Sequence, residues 1–213
     1  MADGSAAMEL VLASGSPRRR ELLSQAGFAF KVIVPSVTES AHSYLTGREL
    51  TVCNAARKAL AVANVQRDSI VVGADTLVVL EGEVIGKPRD LAHAAAILHR
   101  LSGRTHQVIS AVFICAGRAR MRICFHVISD VQFRKLSSRA IDSYLALIDP
   151  LDKVGAYAAQ SEGAHIIAEI RGSYSNVIGL PMAETTRALR RFGIRPRRDQ
   201  RVSTTSRSTG PTA

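Results

Sequence analysis

The sequence predicts an α/β fold on a mixed sheet. Apolar strand patterns alternate with helical periods, as crossover connections require. Elsewhere two strand patterns adjoin across a tight turn, as a hairpin requires. Both connection types in one chain give a twisted sheet with parallel and antiparallel members and flanking helices. The 213 residues suit one domain or a compact two-lobed one. No internal repeat is visible.

The elements follow in order. Met8–Ala13 is a short buried strand. Ser16 is placed to cap a helix opened by Pro17, running to Gln25 and stopped by Gly27. "FKVIVP" is a second strand ending at Pro35, and "TESAHSYLTG" a polar loop. Arg48–Val62 has helical spacing. "SIVVGADTLVVLEGEVIGKP" is two strands about a Glu81-Gly82 turn. Asp90 caps a helix to Leu101, closed by Gly103. "HQVISAVFICAG" and "MRICFHVISDVQF" are long neighbouring strands joined near Gly117. Ser137 or Ser138 caps the next helix. The segment after it is a loop with a short helical piece, then a strand. "SYSNVIGLP" is a loop, and Pro181 opens a last helix ending near Gly193.

The net charge is +10, yet from Arg187 onward there are eight arginines against one acid, Asp199. The end, "RPRRDQRVSTTSRSTGPTA", lacks an apolar period and is rich in Ser, Thr, Pro and Arg, so it reads as a basic disordered tail. One domain over 8–193 is expected, with disordered residues at 1–7 and 194–213. The body is only mildly basic, which disfavours a nucleic-acid partner and suits a polyphosphate. No apolar run nears the roughly 18 residues that span a bilayer. The N-terminus lacks a signal-peptide pattern. Cys53, Cys115 and Cys124 lack metal spacing and read as reduced thiols of a cytoplasmic protein.

Several residues invite chemistry. In "LASGSPRRRELL" a helix N-terminus carries Arg18, Arg19 and Arg20. Cations there oppose the helix dipole, unless an anion is bound. Free backbone N–H groups and arginine forks are suited to phosphate. The alternative is a surface helix with solvated arginines. Asp75 interrupts an apolar strand, where a lone carboxylate is expensive. Gly73 lets a backbone or a ligand come close. Lys87, just past the hairpin, is a salt-bridge partner or a catalytic neighbour for Asp75. Glu39 and Lys58 are unremarkable by themselves. No GxxxxGK[ST], HExxH or GxSxG pattern occurs.

The stretches "LASGSPRRRELL", "GADTLVVLEGEVIGKPRD", "LSGRTHQVISAV", "PLDKVGAYAAQ" and "GSYSNVIGLPMAET" occur in that order. Together they resemble the Maf family of nucleoside triphosphate pyrophosphatases, from about Leu10 to Phe192. The resemblance implies an inosine-triphosphatase-like fold with two lobes around a cleft. It implies hydrolysis of a nucleoside triphosphate to monophosphate and pyrophosphate with Mg²⁺ or Mn²⁺, in a house-cleaning role. By the same resemblance Ser14, Arg18, Arg19, Lys58 and Lys87 hold phosphates. Asp75 is the proton acceptor, and Glu39 and Asp75 serve the metal. Arg18, Thr76, Lys153 and Gln160 bear on specificity, and the last two are similar to the dTTP/UTP branch. Ala158, Ala159 and Ser161 depart from the family's usual Gly, Ile and Gly. A homodimer is left open, as are a non-catalytic regulatory protein of cell division or nucleic-acid metabolism and the same reaction on 7-methyl-GTP. If Arg18 and Arg19 serve only the anion, replacing either by Ala is expected to cost little stability.

Overall fold

The computed structural model describes residues 8–38, 44–117, 121–160 and 162–197. Among these residues seven strands form one mixed sheet in the order β2-β1-β3-β5-β6-β7, with β4 paired to β3. The strands are β1 (Glu9–Ala13), β2 (Lys31–Val32), β3 (Ser69–Leu80), β4 (Glu83–Ile85), β5 (Thr105–Ala116), β6 (Arg122–Phe133) and β7 (Ile167–Arg171). β1 is parallel to both β2 and β3, and the other pairs are antiparallel. The helices are α1 (Pro17–Gln25), α2 (Gly47–Ala63), α3 (Leu91–Leu101), α4 (Ser138–Leu145), α5 (Gly163–Ile166), α6 (Tyr174–Ile178) and α7 (Met182–Arg191), with a 3-10 turn at Val154–Ala156. No helix among the described residues is long and apolar enough to cross a membrane.

Alternation along β3 sorts the helices. Ile70, Val72 and Ala74 face the cluster of Leu22, Leu23 and Leu189, from α1 and α7. Val71, on the other face, meets Ala59 and Val62 of α2. Farther along, Val78 and Leu80 enter a separate core with Leu98, Phe133 and Ile141. The long strands thus run through two packing units, and the cleft lies between them. β1 connects through α1 to β2 on one side, and β2 returns through α2 to β3 on the other. The carboxyl end of β1 is therefore a topological switch point, where a crevice opens.

Gly73 sets how close α2 comes. A Cβ there would stand 2.4 Å from the Ala55 carbonyl oxygen and 2.6 Å from the Ala59 nitrogen. The close approach anticipated at Gly73 is thus to a helix backbone. Glu81 (φ 53°) and Gly82 (φ 86°) make the expected two-residue hairpin turn. Asp90 and Ser137 cap α3 and α4 by accepting from the N–H groups of His93 and Ala140.

Three expectations are corrected. The strand over "FKVIVP" pairs only at Lys31 and Val32, because β1 ends at Ala13 and leaves later residues little to pair with. "SYSNVIGLP" contains α6, capped by Ser173. The folded body also continues past Gly193. Ile194 packs against the α1/α7 core, and the Arg197 N–H donates to the Gly27 carbonyl at 2.8 Å. Residues 1–7 and 198–213, the rest of the expected termini, lie outside the described residues.

Candidate active site

The end of β1 lies beside Gly73, so the chain leaves the sheet next to Ala74 and Asp75. Ser14 then turns it into α1, its Oγ accepting from the Ser16 N–H at 3.2 Å. Ser16 stands at the N-cap position but makes no side-chain cap bond. Across β3, one face of α2 presents Asn54 and Lys58, one turn apart. Lys58 Nζ is 2.6 Å from Asp75 Oδ1, and Asn54 Nδ2 donates to Oδ2 at 3.3 Å. The Asp75 side chain is 6% exposed and that of Lys58 11%. The expensive carboxylate is therefore compensated by a cation and an amide, as burial demands.

Two adjoining cavities, about 320 and 280 Å³, open over this pair. Arg18, Arg19, Lys58 and Lys87 line both, so the seam between them is cationic. The larger continues onto an apolar wall that includes Leu77, Val108, Tyr157, Ala159 and Val177, beside Gln160. The smaller lies against the start of α1. A polyphosphate at the seam, with an attached ring over the apolar wall, matches this division of polarity.

Arg18 and Arg19 differ sharply. Arg18 is partly exposed, and its Nη1 lies 3.6 Å from Asp152 Oδ2. Arg19 is buried. Its Nε donates to the Gly179 carbonyl at 2.9 Å, and its Nη1 to the Ala74 carbonyl at 2.9 Å and to Ser14 Oγ at 3.1 Å. Its Nη2 donates to Thr76 Oγ1 at 2.9 Å. Thr76 continues the network to Ser110, 2.9 Å away, and Ser110 donates to the Asn176 carbonyl. The Asn176 amide donates to the Val108 carbonyl at 3.0 Å and to Ser129 Oγ at 2.9 Å. These bonds tie α1 and α6 to the sheet around Asp75.

A family model described as Maf-like protein matches residues 9–192. The chain belongs to the Maf family. A Salmonella typhimurium (strain LT2) dTTP/UTP pyrophosphatase is 48% identical over 193 residues, covering 90% of this chain and 97% of that one. The Escherichia coli (strain K12) dTTP/UTP pyrophosphatase is 46% identical with the same coverage. The one from Akkermansia muciniphila is 44% identical over 186 residues, covering 87% of this chain and 97% of its own.

Within this Maf cleft the structure places the expected residues as follows. Ser14, Arg18, Arg19, Lys58, Asp75, Thr76, Lys87, Lys153 and Gln160 all line one or both cavities. Glu39 lies outside the described residues. The cation seated on Asp75 is Lys58, where the sequence had offered Lys87; Lys87 is exposed at the rim. Arg19 does not face the cleft alone, as the expectation of little stability cost assumed: its guanidinium joins Ser14, Ala74, Thr76 and Gly179. Lys153 is held by the Asp149 carbonyl and by Asp152. Sequence reading missed Asn54, whose signal is its place four residues before Lys58 on one helix face. It also assigned no role to Asp152, Ser110 or Asn176.

Below the apolar wall, His106 Nε2 is 2.8 Å from Tyr157 Oη, while its Nδ1 has no partner among the described residues. Burial lowers the His106 pKa to about 4 and raises that of Tyr157. Both are therefore neutral at pH 7. They support the wall as packed, uncharged rings, in edge contact with each other and with Phe133.

Proposed function

We propose that the protein hydrolyses dTTP and UTP to the nucleoside monophosphate and pyrophosphate. The carrying observation is a fixed carboxylate, Asp75, beneath a seam of four cationic side chains that runs into an apolar wall. The family and its dTTP/UTP-named members support the substrate class.

Asp75 accepts the proton of the attacking water. Lys58 and Asn54 hold the carboxylate in one orientation, and a carboxylate has about four lone-pair sites, so acceptor capacity remains beyond these two bonds. General-base action of this kind contributes about 10²–10⁴-fold. Arg18 and Lys87 approach the phosphates from the rim, and Lys58 from the floor, to stabilise charge on the phosphoryl oxygens. Arg19 holds the start of α1, so that backbone N–H groups there face the anion. The Gln160 amide donates and accepts at once, matching the adjacent carbonyl and N–H of uracil or thymine. Lys153 and Thr76 border the same cavity.

A divalent cation, Mg²⁺ or Mn²⁺, belongs to this proposal. Among the described residues no cluster of three or more His, Cys, Asp or Glu exists. The donor set fits an ion held by one or two carboxylates plus substrate phosphates and water, the usual Mg²⁺ mode. Asp75 is one such hard oxygen donor, and Glu39 is proposed as the second. When bound, the ion neutralises charge on the leaving pyrophosphate. A cytoplasmic setting is also proposed, supported by three free cysteines.

The experiment is pyrophosphate release from a nucleotide panel with Mn²⁺ or Mg²⁺. dTTP and UTP are expected to lead. A lead by 7-methyl-GTP would move the protein to another substrate branch, and no release from any nucleotide would make it a binding protein.

A further inference from the structure

Three of the four tyrosines, Tyr144, Tyr157 and Tyr174, hold the segment Tyr157–Gln160 in place. Tyr144, buried on α4, accepts from the Ala158 N–H at 3.0 Å and donates to the Ala158 carbonyl at 3.4 Å. Tyr157 is tied to His106. These two fasten the segment to the core. Tyr174 is different. It begins α6, is 50% exposed, and donates from Oη to the Ala159 carbonyl at 3.2 Å. Val177 and Ile178 of α6 line the same cavity as Ala158, Ala159 and Gln160. The Tyr174 hydroxyl therefore joins two parts of the cavity wall that belong to different elements.

The two parts are not equally firm. α6 is anchored to the sheet through Asn176, fully buried and bonded to Val108 and Ser129. The loop presents only methyl side chains at 158 and 159. Its reach into the cavity is set by where its backbone lies, not by side-chain bulk. A bond that fixes the Ala159 carbonyl thereby fixes the width available to the ring.

We propose that Tyr174 is a specificity-determining residue whose hydroxyl straps the Ala159–Gln160 loop to α6 and restricts the cavity to single-ring bases. This rests on the dTTP/UTP reading above. A pyrimidine is accommodated with the strap closed and with Gln160 held for the ring edge. A purine requires the loop to move outward, which breaks the strap, and the lost bond is charged against the larger base alone.

The test is Tyr174→Phe, which removes only the hydroxyl from an exposed ring. kcat and KM are measured for dTTP, UTP, dGTP and GTP, and equilibrium affinity for dTMP and dGMP. The variant is expected to gain on dGTP and GTP, chiefly through KM. The dTTP-to-dGTP ratio of kcat/KM falls about five-fold, the worth of one net hydrogen bond. The dTMP-to-dGMP affinity ratio moves the same way. Tyr144→Phe serves as the contrast: its hydroxyl binds only within the loop's own support, so it lowers the melting temperature and depresses all four nucleotides together. An unchanged ratio in Tyr174→Phe overturns the inference, as does a fall caused by loss on dTTP without gain on dGTP. If the wild type hydrolyses neither dTTP nor UTP, the proposed function fails. The monophosphate affinities then still decide the strap.

Discussion

Asp75 and Asp152 border the same cavity and each is paired with a lysine, yet they are held in different media. The lysines are similarly shielded, 11% exposed for Lys58 and 14% for Lys153, but the carboxylates differ: Asp75 is 6% exposed and Asp152 47%. A buried pair that loses one partner typically costs about 3–5 kcal/mol, because a charge is stranded away from water. An exposed pair is worth about 0–1 kcal/mol, because water and salt screen it. The first pair is thus a fixed part of the floor. The second is exchangeable, and the 3.6 Å contact of Asp152 with Arg18 is parted at equally little cost. The same contrast separates the adjacent arginines: Arg19 is built into the wall, and Arg18 is available at the rim.

The largest expected effect tests the fixed pair. Asp75→Asn keeps the shape and removes the charge. Pyrophosphate release in single-turnover assays should fall about 10²–10⁴-fold, while calorimetry still detects nucleotide binding. The melting temperature should fall as well, since Lys58 loses its counter-charge. Asp152→Asn should leave stability within about 1 kcal/mol of the wild type. Equal turnover losses in the two variants would erase the distinction between floor and rim.

His106 extends the comparison to a buried group whose Nδ1 has no hydrogen-bond partner among the described residues. Its pKa falls from 6.5 to about 4 on folding. Between these values the unfolded chain binds the proton and the folded chain does not, so stability rises with pH across that window. The contribution is complete above 6.5 and is lost as the pH falls toward 4. At about 1.4 kcal/mol per unit it amounts to about 3 kcal/mol. Urea titrations from pH 7 to pH 4 should show a flatter dependence in His106→Gln, and identical profiles would remove His106 as the cause.

Arg19→Ala should cost about 2–3 kcal/mol, because it strips bonds from the buried carbonyls of Ala74 and Gly179. Arg18→Ala should cost less than about 1 kcal/mol. Both should weaken turnover. Matching stabilities in chemical denaturation would show that the network around Arg19 is energetically idle.

A comparably small effect lies at the C-terminal boundary. A chain ending at Gly193 loses the Ile194 packing and the Arg197–Gly27 hydrogen bond, worth about 1 kcal/mol. A chain ending at Arg197 should melt like the full chain, because the sequence beyond it has no apolar period to bury. A melting shift of several degrees on the longer truncation alone places the boundary at Arg197.

Much of this was legible without coordinates wherever the cause is local. Strand alternation, the Glu81-Gly82 turn, the caps at Asp90 and Ser137 and the helix opening at Pro17 depend on residues a few positions apart, and the structure realises each. The out-of-place Asp75 and the small Gly73 were visible because each breaks its strand's own pattern. Five ordered motifs were enough for the family. α6 was not legible. Five residues are too few to show a helical period, and a helix that short is held by packing, not propensity; here Ser173 and Asn176 hold it.

The sequence by itself determined the α/β class, the family, and most of the residues gathered in the cleft, because periodicity, turn chemistry and motif order are properties of the chain read in line. Only the tertiary structure decided which lysine sits on Asp75, that Arg19 is part of the wall, and that Tyr174 reaches the Ala159 carbonyl. The reason is distance along the chain. The Arg19 hydrogen bond to Gly179 spans 160 residues, and that of Lys58 to Asp75 spans 17 between two different elements. No local window contains both partners, so their pairing is settled only when the sheet brings β1, β3 and α6 together.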